Sequence, residues 1–217
     1  MNNAQRAKVV HKILNKIYPK TPIPLKHRNK FTLLVSVLLS AQTTDVNVNN
    51  VTKNIYSKYN KPEHFVKLGR KKIENLIKSI GIFRVKAKSV YLLSKQLIEK
   101  HNGKVPDNFE DLEKLPGVGH KTASVVMSQG FGHSAFPIDT HIHRLAQRWG
   151  FSNGKNVVQT EVDLKRLFPK NSWNKLHLQI IYYGREFCKA RECYGLTCKI
   201  CTTCYPNRKK PIKTMKA

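Results

Sequence analysis

The sequence predicts an all-α fold. Three observations carry that expectation. Apolar residues recur at three- and four-residue spacing in segment after segment. No stretch sustains the two-residue alternation of a strand. Glycine, proline and asparagine clusters punctuate the helical runs at short intervals. A chain of 217 residues can hold one large domain or two small lobes with a real core.

The elements follow in order. Residues 5–18 place Val9, Val10, Ile13, Leu14 and Ile17 at helical spacing, and Pro22 and Pro24 end the run. Phe31 to Leu39 (FTLLVSVLL) reads as a buried helix. The polar SAQTTD stops it, and Thr44 or Asp45 can cap the next helix, through Val51, Ile55 and Tyr56. Asn60-Lys61-Pro62 marks a turn, and Leu68 to Ile80 is a helix closed by Gly81. Residues 85–100 form a long helix with Ala87, Val90, Leu93, Leu97 and Ile98 inward, ending at Asn102-Gly103. Asp107 and Glu110 stand in an Asp-x-x-Glu pattern that predicts a capped short helix, ending at Pro116-Gly117. A helix from about Gly119-His120-Lys121 takes Ala123, Val125, Val126 and Met127 into the core. Thr140 to Trp149, residues 157–168 and residues 173–187 complete the helices, and the basic tail NRKKPIKTMKA is expected to be mobile.

The charge narrows the function classes. Lys plus Arg number 40 against 13 Asp plus Glu, a formal +27, far beyond what solubility needs. Before residue 100 the only acids are Asp45, Glu63, Glu74 and Glu99, so the basic charge is spread along the chain. A polyanion partner is the expected reason. An unusually charged surface adaptation or a ribosome-associated protein would be the blander one. No apolar run approaches the ~18 residues of a membrane span, and the N-terminus has no signal-peptide core. All five cysteines lie between Cys188 and Cys204, which argues against a secreted disulfide framework and for a reducing compartment, cytosolic or nucleoid.

Two short helices joined by LPGVG (Leu115 to Gly119) make a helix-hairpin-helix. Gly117 and Gly119 lack Cβ atoms, so the turn can take unusual dihedrals and bring its amides against another backbone, and amides at a helix start suit a phosphate. Lys121 sits in the first turn, where the macrodipole, basic neighbours and burial under a substrate would all favour a free amine. In so basic a chain a lone lysine is ordinarily a solvated charge. Asp139, in FPIDTHIHR, has an ordinary role as an N-cap. His141 and His143 read as surface or phosphate-facing. Five cysteines spaced C-x4-C-x4-C-x2-C-x2-C mean metal, either tetrahedral zinc or a [4Fe-4S] cluster.

LPGVG-x-KTA followed by IDTH, LLSAQTTD (Leu38 to Asp45) and the C-terminal cysteines occur in a specific order over nearly the whole chain. In these features the sequence resembles the endonuclease III family of DNA glycosylases, within the helix-hairpin-helix glycosylase superfamily. The resemblance implies two lobes: a six-helix lobe over residues 23–134, and a second from residues 1–22 and 135–217 that carries an iron–sulfur cluster loop. It places the DNA cleft between them, with Lys121 and Asp139 facing it from opposite sides.

The resemblance also implies residue roles. Lys121 would be the nucleophile that displaces the damaged base and forms a Schiff base, and Asp139 the essential carboxylate. Gln42 would fill the hole left by an extruded nucleotide, with Ile82 at the second wedge position. Leu115, Gly117, Gly119 and His141 would contact DNA. The family carries a [4Fe-4S] cluster on C-x6-C-x2-C-x5-C. The span from Cys188 to Cys204 equals the family's, but the interior differs, because a gapless reading puts Gly195 at the second ligand. The preferred ligands are Cys188, Cys198, Cys201 and Cys204, with Cys193 spare. The alternative uses Cys193 in place of Cys201.

The expected function is a bifunctional DNA glycosylase and abasic-site lyase for oxidised pyrimidines, a monomer acting on duplex DNA with a damaged base or abasic site. One alternative is a monofunctional adenine-type glycosylase, a branch that lacks the lysine and carries an extra C-terminal domain. An 8-oxoguanine glycosylase would lack the cysteines. A non-catalytic helix-hairpin-helix DNA-binding protein would leave Lys121 and Asp139 unexplained.

Overall fold

A computed structural model describes residues 1–217. Its α-helices are α1 Asn3–Ile17, α2 Lys30–Ser40, α3 Asp45–Lys58, α4 Pro62–Leu76, α5 Phe83–His101, α6 Phe109–Glu113, α7 His120–Val125, α8 Thr140–Arg148, α9 Val157–Leu167, α10 Trp173–Glu186 and α11 Lys199–Cys204. There is no strand, and no helix is long and apolar enough to cross a membrane. The chain divides into two compact units, Ile23–His133 and Met1–Pro22 with Ser134–Ala217.

The first unit is built on α2. Every residue from Phe31 to Leu39 is buried, so this helix is apolar all round and needs neighbours on every side. Its two polar members are satisfied: Thr32 belongs to a capping box with Asn29, and Ser36 Oγ lies 2.8 Å from Tyr56 Oη of α3. Thr44 caps α3, its side chain accepting from the Asn47 N–H.

Three local readings change in this unit. The helix expected over residues 68–80 starts earlier, with Pro62 at its first turn, and ends at Leu76. Its break is at Gly69, whose φ of 73° and ψ of 156° interrupt the helical path. The expected cap on α6 is shifted by one residue. Asn108, not Asp107, accepts from the Asp111 N–H, and Asp107 instead lies 2.6 Å from His133 Nε2. Asparagine caps as well as aspartate, and the Asp-x-x-Glu pattern overlapped a second, equivalent frame. Third, α7 runs on as a π-helical turn over Val126–Gly130, with Val126 and Met127 buried.

The second unit has its own core, in which Val10 and Leu14 of α1, Leu145 and Trp149 around α8, and Ile180 and Tyr183 of α10 are buried with all five cysteines. The C-terminal tail is docked, not loose. The Arg208 guanidinium stacks 3.9 Å from the Tyr205 ring centre, the Ile212 N–H donates to Tyr194 O, and the Met215 N–H donates to Gln147 Oε1. Backbone hydrogen bonds, which no pattern of side chains announces, hold a segment whose composition suggests mobility.

Candidate active site and metal centre

The hairpin is anchored by Leu112, Leu115 and Val118, which are buried in the core of the first unit. Leu115 is 2 % exposed, and its carbonyl accepts from the Val118 N–H. The Leu115 side chain therefore packs the hairpin onto the lobe, and any contact it makes with DNA would be through its backbone. The two glycines have different reasons. Gly117 has φ of 80°, and a Cβ there would come within 2.7 Å of the Ser89 side chain on α5. Gly119 is the extended N-cap of α7, with φ of −95°, and a Cβ there would meet nothing within 4 Å. Neither the backbone nor the packing of this chain demands glycine at 119, so the open space beside it suits an external backbone. Gly117→Ala should therefore cost roughly 1–3 kcal/mol of stability, by strain and overpacking, read as a lower urea midpoint. Gly119→Ala should leave that midpoint nearly unchanged while weakening duplex binding.

Lys121 is the second residue of α7 and is exposed. The chain itself does not bury the amine, so any desolvation must come from what binds over it. No side chain caps α7, which leaves the amides of its first turn without that partner.

Gln42 and Ile82 are exposed, and both have left-handed backbones, with φ of 56° and 50°. The only other non-glycine residues with positive φ are Asn102 and Tyr194. For a β-branched isoleucine this conformation is strained, and it persists only where its surroundings enforce it.

Asp139 is the N-cap of α8 and half-buried, its Oδ1 accepting from the Ile142 N–H at 2.8 Å. The cap fixes the position of the carboxylate. His141 is half-buried, with Nδ1 3.3 Å from Arg144 Nη2. His143 is not a surface residue. It is 1 % exposed, with Nδ1 2.8 Å from Thr160 Oγ1, and burial pushes its pKa down. In H-x-H on a helix the two imidazoles lie about 200° apart, so only one can face outward.

All five cysteines are buried and unpaired. The thiol sulfurs of Cys188, Cys193, Cys198 and Cys201 lie within 4.8 Å of one another. This differs from the expected set: Cys193 joins the group and Cys204 stands outside it. Cys198 caps α11 and Cys201 lies one turn on, while Cys204 ends that helix outside the group. The left-handed pair Tyr194 and Gly195 turns the preceding loop so that Cys193 takes the fourth place.

Buried Arg148 braces the same loop. Its guanidinium donates to the carbonyls of Lys189 and Ala190, each at 2.9 Å, and lies 3.3 Å from Cys188 Sγ. Arg144 donates to the carbonyls of Gly184 and Cys188. The thiols of Cys188, Cys198 and Cys201 share hydrogen bonds that pull the Cys198 thiol down and push the other two up. Four buried soft donors with a guanidinium beside them suit a thiophilic metal centre. Sequence reading missed both arginines, because in so basic a chain nothing marks which cations are buried.

An all-helical fold with a helix-hairpin-helix, a lysine at its second helix and a cluster of buried thiols is the arrangement of one class of DNA-repair protein. Residues 35–170 match the family described as HhH-GPD superfamily base excision DNA repair protein. Endonuclease III of Bacillus subtilis is 41% identical over 91% of this chain and 90% of its own length, and that of Rickettsia prowazekii 39% identical over 91% and 92%. A trapped covalent endonuclease III–DNA intermediate superposes with a TM-score of 0.87 at 39% identity, covering 92% of this chain and 94% of that one. The chain belongs to the endonuclease III family.

Proposed function

We propose that the chain excises oxidised pyrimidines from duplex DNA and cuts the strand at the resulting abasic site, with Lys121 as nucleophile. The observation that carries this reading is the exposed amine of Lys121, two residues past the open face of Gly119 at the start of α7. A phosphate held by the hairpin amides would bring a sugar to that amine. The Lys121 nitrogen forms a bond to C1′ as the damaged base leaves with its electron pair and is protonated. Ring opening gives an imine, which acidifies the C2′ proton. Its removal expels the 3′ phosphate by β-elimination, and water then hydrolyses the imine to free the lysine. Asp139, held by its cap, stabilises the cationic sugar and helps take a proton from the attacking amine. His141 and the hairpin backbone act as phosphate contacts, and Gln42 with Ile82 fills the gap left by the extruded nucleotide.

Cys188, Cys193, Cys198 and Cys201 are the residues that would hold a [4Fe-4S] cluster. That group would supply a cross-link for the loop bearing Lys189, Arg191 and Lys199. Zinc is the second reading. The Cys188–Cys201 and Cys193–Cys201 sulfur distances of 3.8 and 3.9 Å match the edge of a tetrahedron with ~2.3 Å metal–sulfur bonds. The reading places the protein as a monomer at the nucleoid in the cytoplasm.

The direct test is incubation with an abasic-site duplex, with strand cleavage read on a gel. Uncleaved strand would exclude the lyase. Binding to undamaged duplex should also fall steeply with salt, by ~0.9 in log–log slope per phosphate neutralised. A flat line would contradict a contact made by the +27 charge.

A further inference from the structure

Lys86 is the one buried lysine in a chain whose other lysines are solvated. It lies in the first turn of α5, four residues past Ile82, and its N–H donates to Ile82 O. Its ammonium group crosses to the end of α2, donating to the carbonyls of Leu39 at 2.9 Å and of Ala41, and it lies 3.5 Å from Thr43 Oγ1. Ala41 and Thr43 are the neighbours of Gln42 on either side. A helix end normally finds partners for its last carbonyls in a glycine cap or in water. Here the chain leaves α2 through Ala41, with φ of −57° and ψ of 121°, and turns left-handed at the next residue. A cation at a helix C-terminus is also favoured by the macrodipole.

Gln42 and Ile82 thus meet at one residue, the segment before Gln42 through the Lys86 side chain and Ile82 through the Lys86 backbone N–H. The neighbouring contacts agree. The Asn47 side chain donates to Ser79 O, and a Cβ on Gly81 would lie 3.4 Å from Gln42 O. The loop carrying Gln42 and the turn carrying Ile82 therefore pack as one piece, with Lys86 beneath them.

We propose that Lys86 is a positioning residue for lesion extrusion: by holding the Leu39 and Ala41 carbonyls just ahead of Gln42 and the Thr43 hydroxyl just after it, from the helix that Ile82 caps, it locks the Gln42 segment against the Ile82 turn and keeps both wedge residues in the strained, outward conformation. This rests on the wedge reading of Gln42 given above. Lys86 touches no reacting atom; it acts through Gln42 and Ile82. Without it the Ala41–Thr43 segment can relax to an ordinary backbone and the Gln42 amide loses its fixed direction. Extrusion of a paired nucleotide then loses its support, while a nucleotide that is already unpaired needs little.

The experiment measures single-turnover excision of one oxidised pyrimidine, paired in duplex and in single-stranded DNA, below the melting temperature of every variant. Lys86→Met removes the donors at similar length, and Lys86→Arg restores them. Lys86→Met should lose about tenfold on the paired lesion and less than about twofold on the unpaired one, with Lys86→Arg recovering most of the loss. In a Gln42→Ala background the same substitution should add less than about twofold, because its effect passes through that residue. Equal losses on both substrates, or a full additional loss in the Gln42→Ala background, would overturn the proposal and leave Lys86 as a strut for α2 and α5. If Gln42→Ala itself costs the two substrates equally, the wedge reading fails, whatever Lys86→Met does. Should Lys86→Met not fold, Lys86→Gln, which keeps one donor, reads the same ratio.

Discussion

Lys121→Gln should abolish covalent trapping by borohydride on abasic-site DNA and reduce strand cleavage by at least about a thousandfold. The side chain is exposed and glutamine is a polar helix former only one atom shorter, so the fold should be untouched. Duplex affinity should change only a few-fold, since one exposed charge among 40 basic residues carries a small share of the attraction. Asp139→Asn offers a second test of the same chemistry. Asparagine caps a helix as well as aspartate does, so the bond to the Ile142 N–H survives and stability should shift by less than about 0.5 kcal/mol. The lost charge should still slow turnover by about two orders of magnitude. If Lys121→Gln continues to trap, another amine is the nucleophile, with the N-terminus and a neighbouring lysine as the first candidates. A large loss of stability in Asp139→Asn would instead point to a purely structural carboxylate.

Serine at Cys188, Cys193, Cys198 or Cys201 should strip the metal from the purified protein and lower its melting temperature, whereas Cys204→Ser should keep both. The binding energy of a structural metal is also folding energy, on the order of 10 kcal/mol, comparable with the whole stability of a domain. Losing one of four ligands should therefore loosen the lobe whose core includes these cysteines. A [4Fe-4S] centre is yellow-brown and carries about four irons per chain, and zinc is colourless with about one ion. A protein bleached by Cys204→Ser but not by Cys201→Ser would show that the four clustered thiols are not the ligand set. Arg148→Met should act on the same centre without removing a ligand. It leaves the carbonyls of Lys189 and Ala190 without their donor and takes a positive charge from beside Cys188, so metal loss at low denaturant should be faster than in the parent.

The helical architecture was legible because burial along this chain is periodic. α2 shows as an unbroken apolar run, α5 as a stripe of Ala87, Val90, Leu93 and Leu97, and the caps at Thr44 and Asp139 as polar residues ahead of such runs. The hairpin glycines and Lys121 were legible for a related reason: their chemistry depends on order along a few consecutive residues. The same local reading misassigned the cap of α6, because Asp107 and Asn108 offer two frames that differ only in which side chain the fold needs elsewhere.

Periodicity and motif spacing thus set the helices, the order of the elements and the residues available for chemistry in this protein. Four matters depended on packing between segments distant along the chain. Leu115 turned inward as a core residue, and His143 was buried against Thr160. The Cys193 thiol lies with those of Cys188, Cys198 and Cys201, and Cys204 lies outside that group. Lys86 left the solvated majority of lysines to satisfy carbonyls 45 and 47 residues earlier. The physical reason is common to all four. A side chain's alternatives within its own segment differ little in free energy, and the deciding term is the desolvation, packing or hydrogen bonding supplied by groups remote along the chain, which local sequence does not encode.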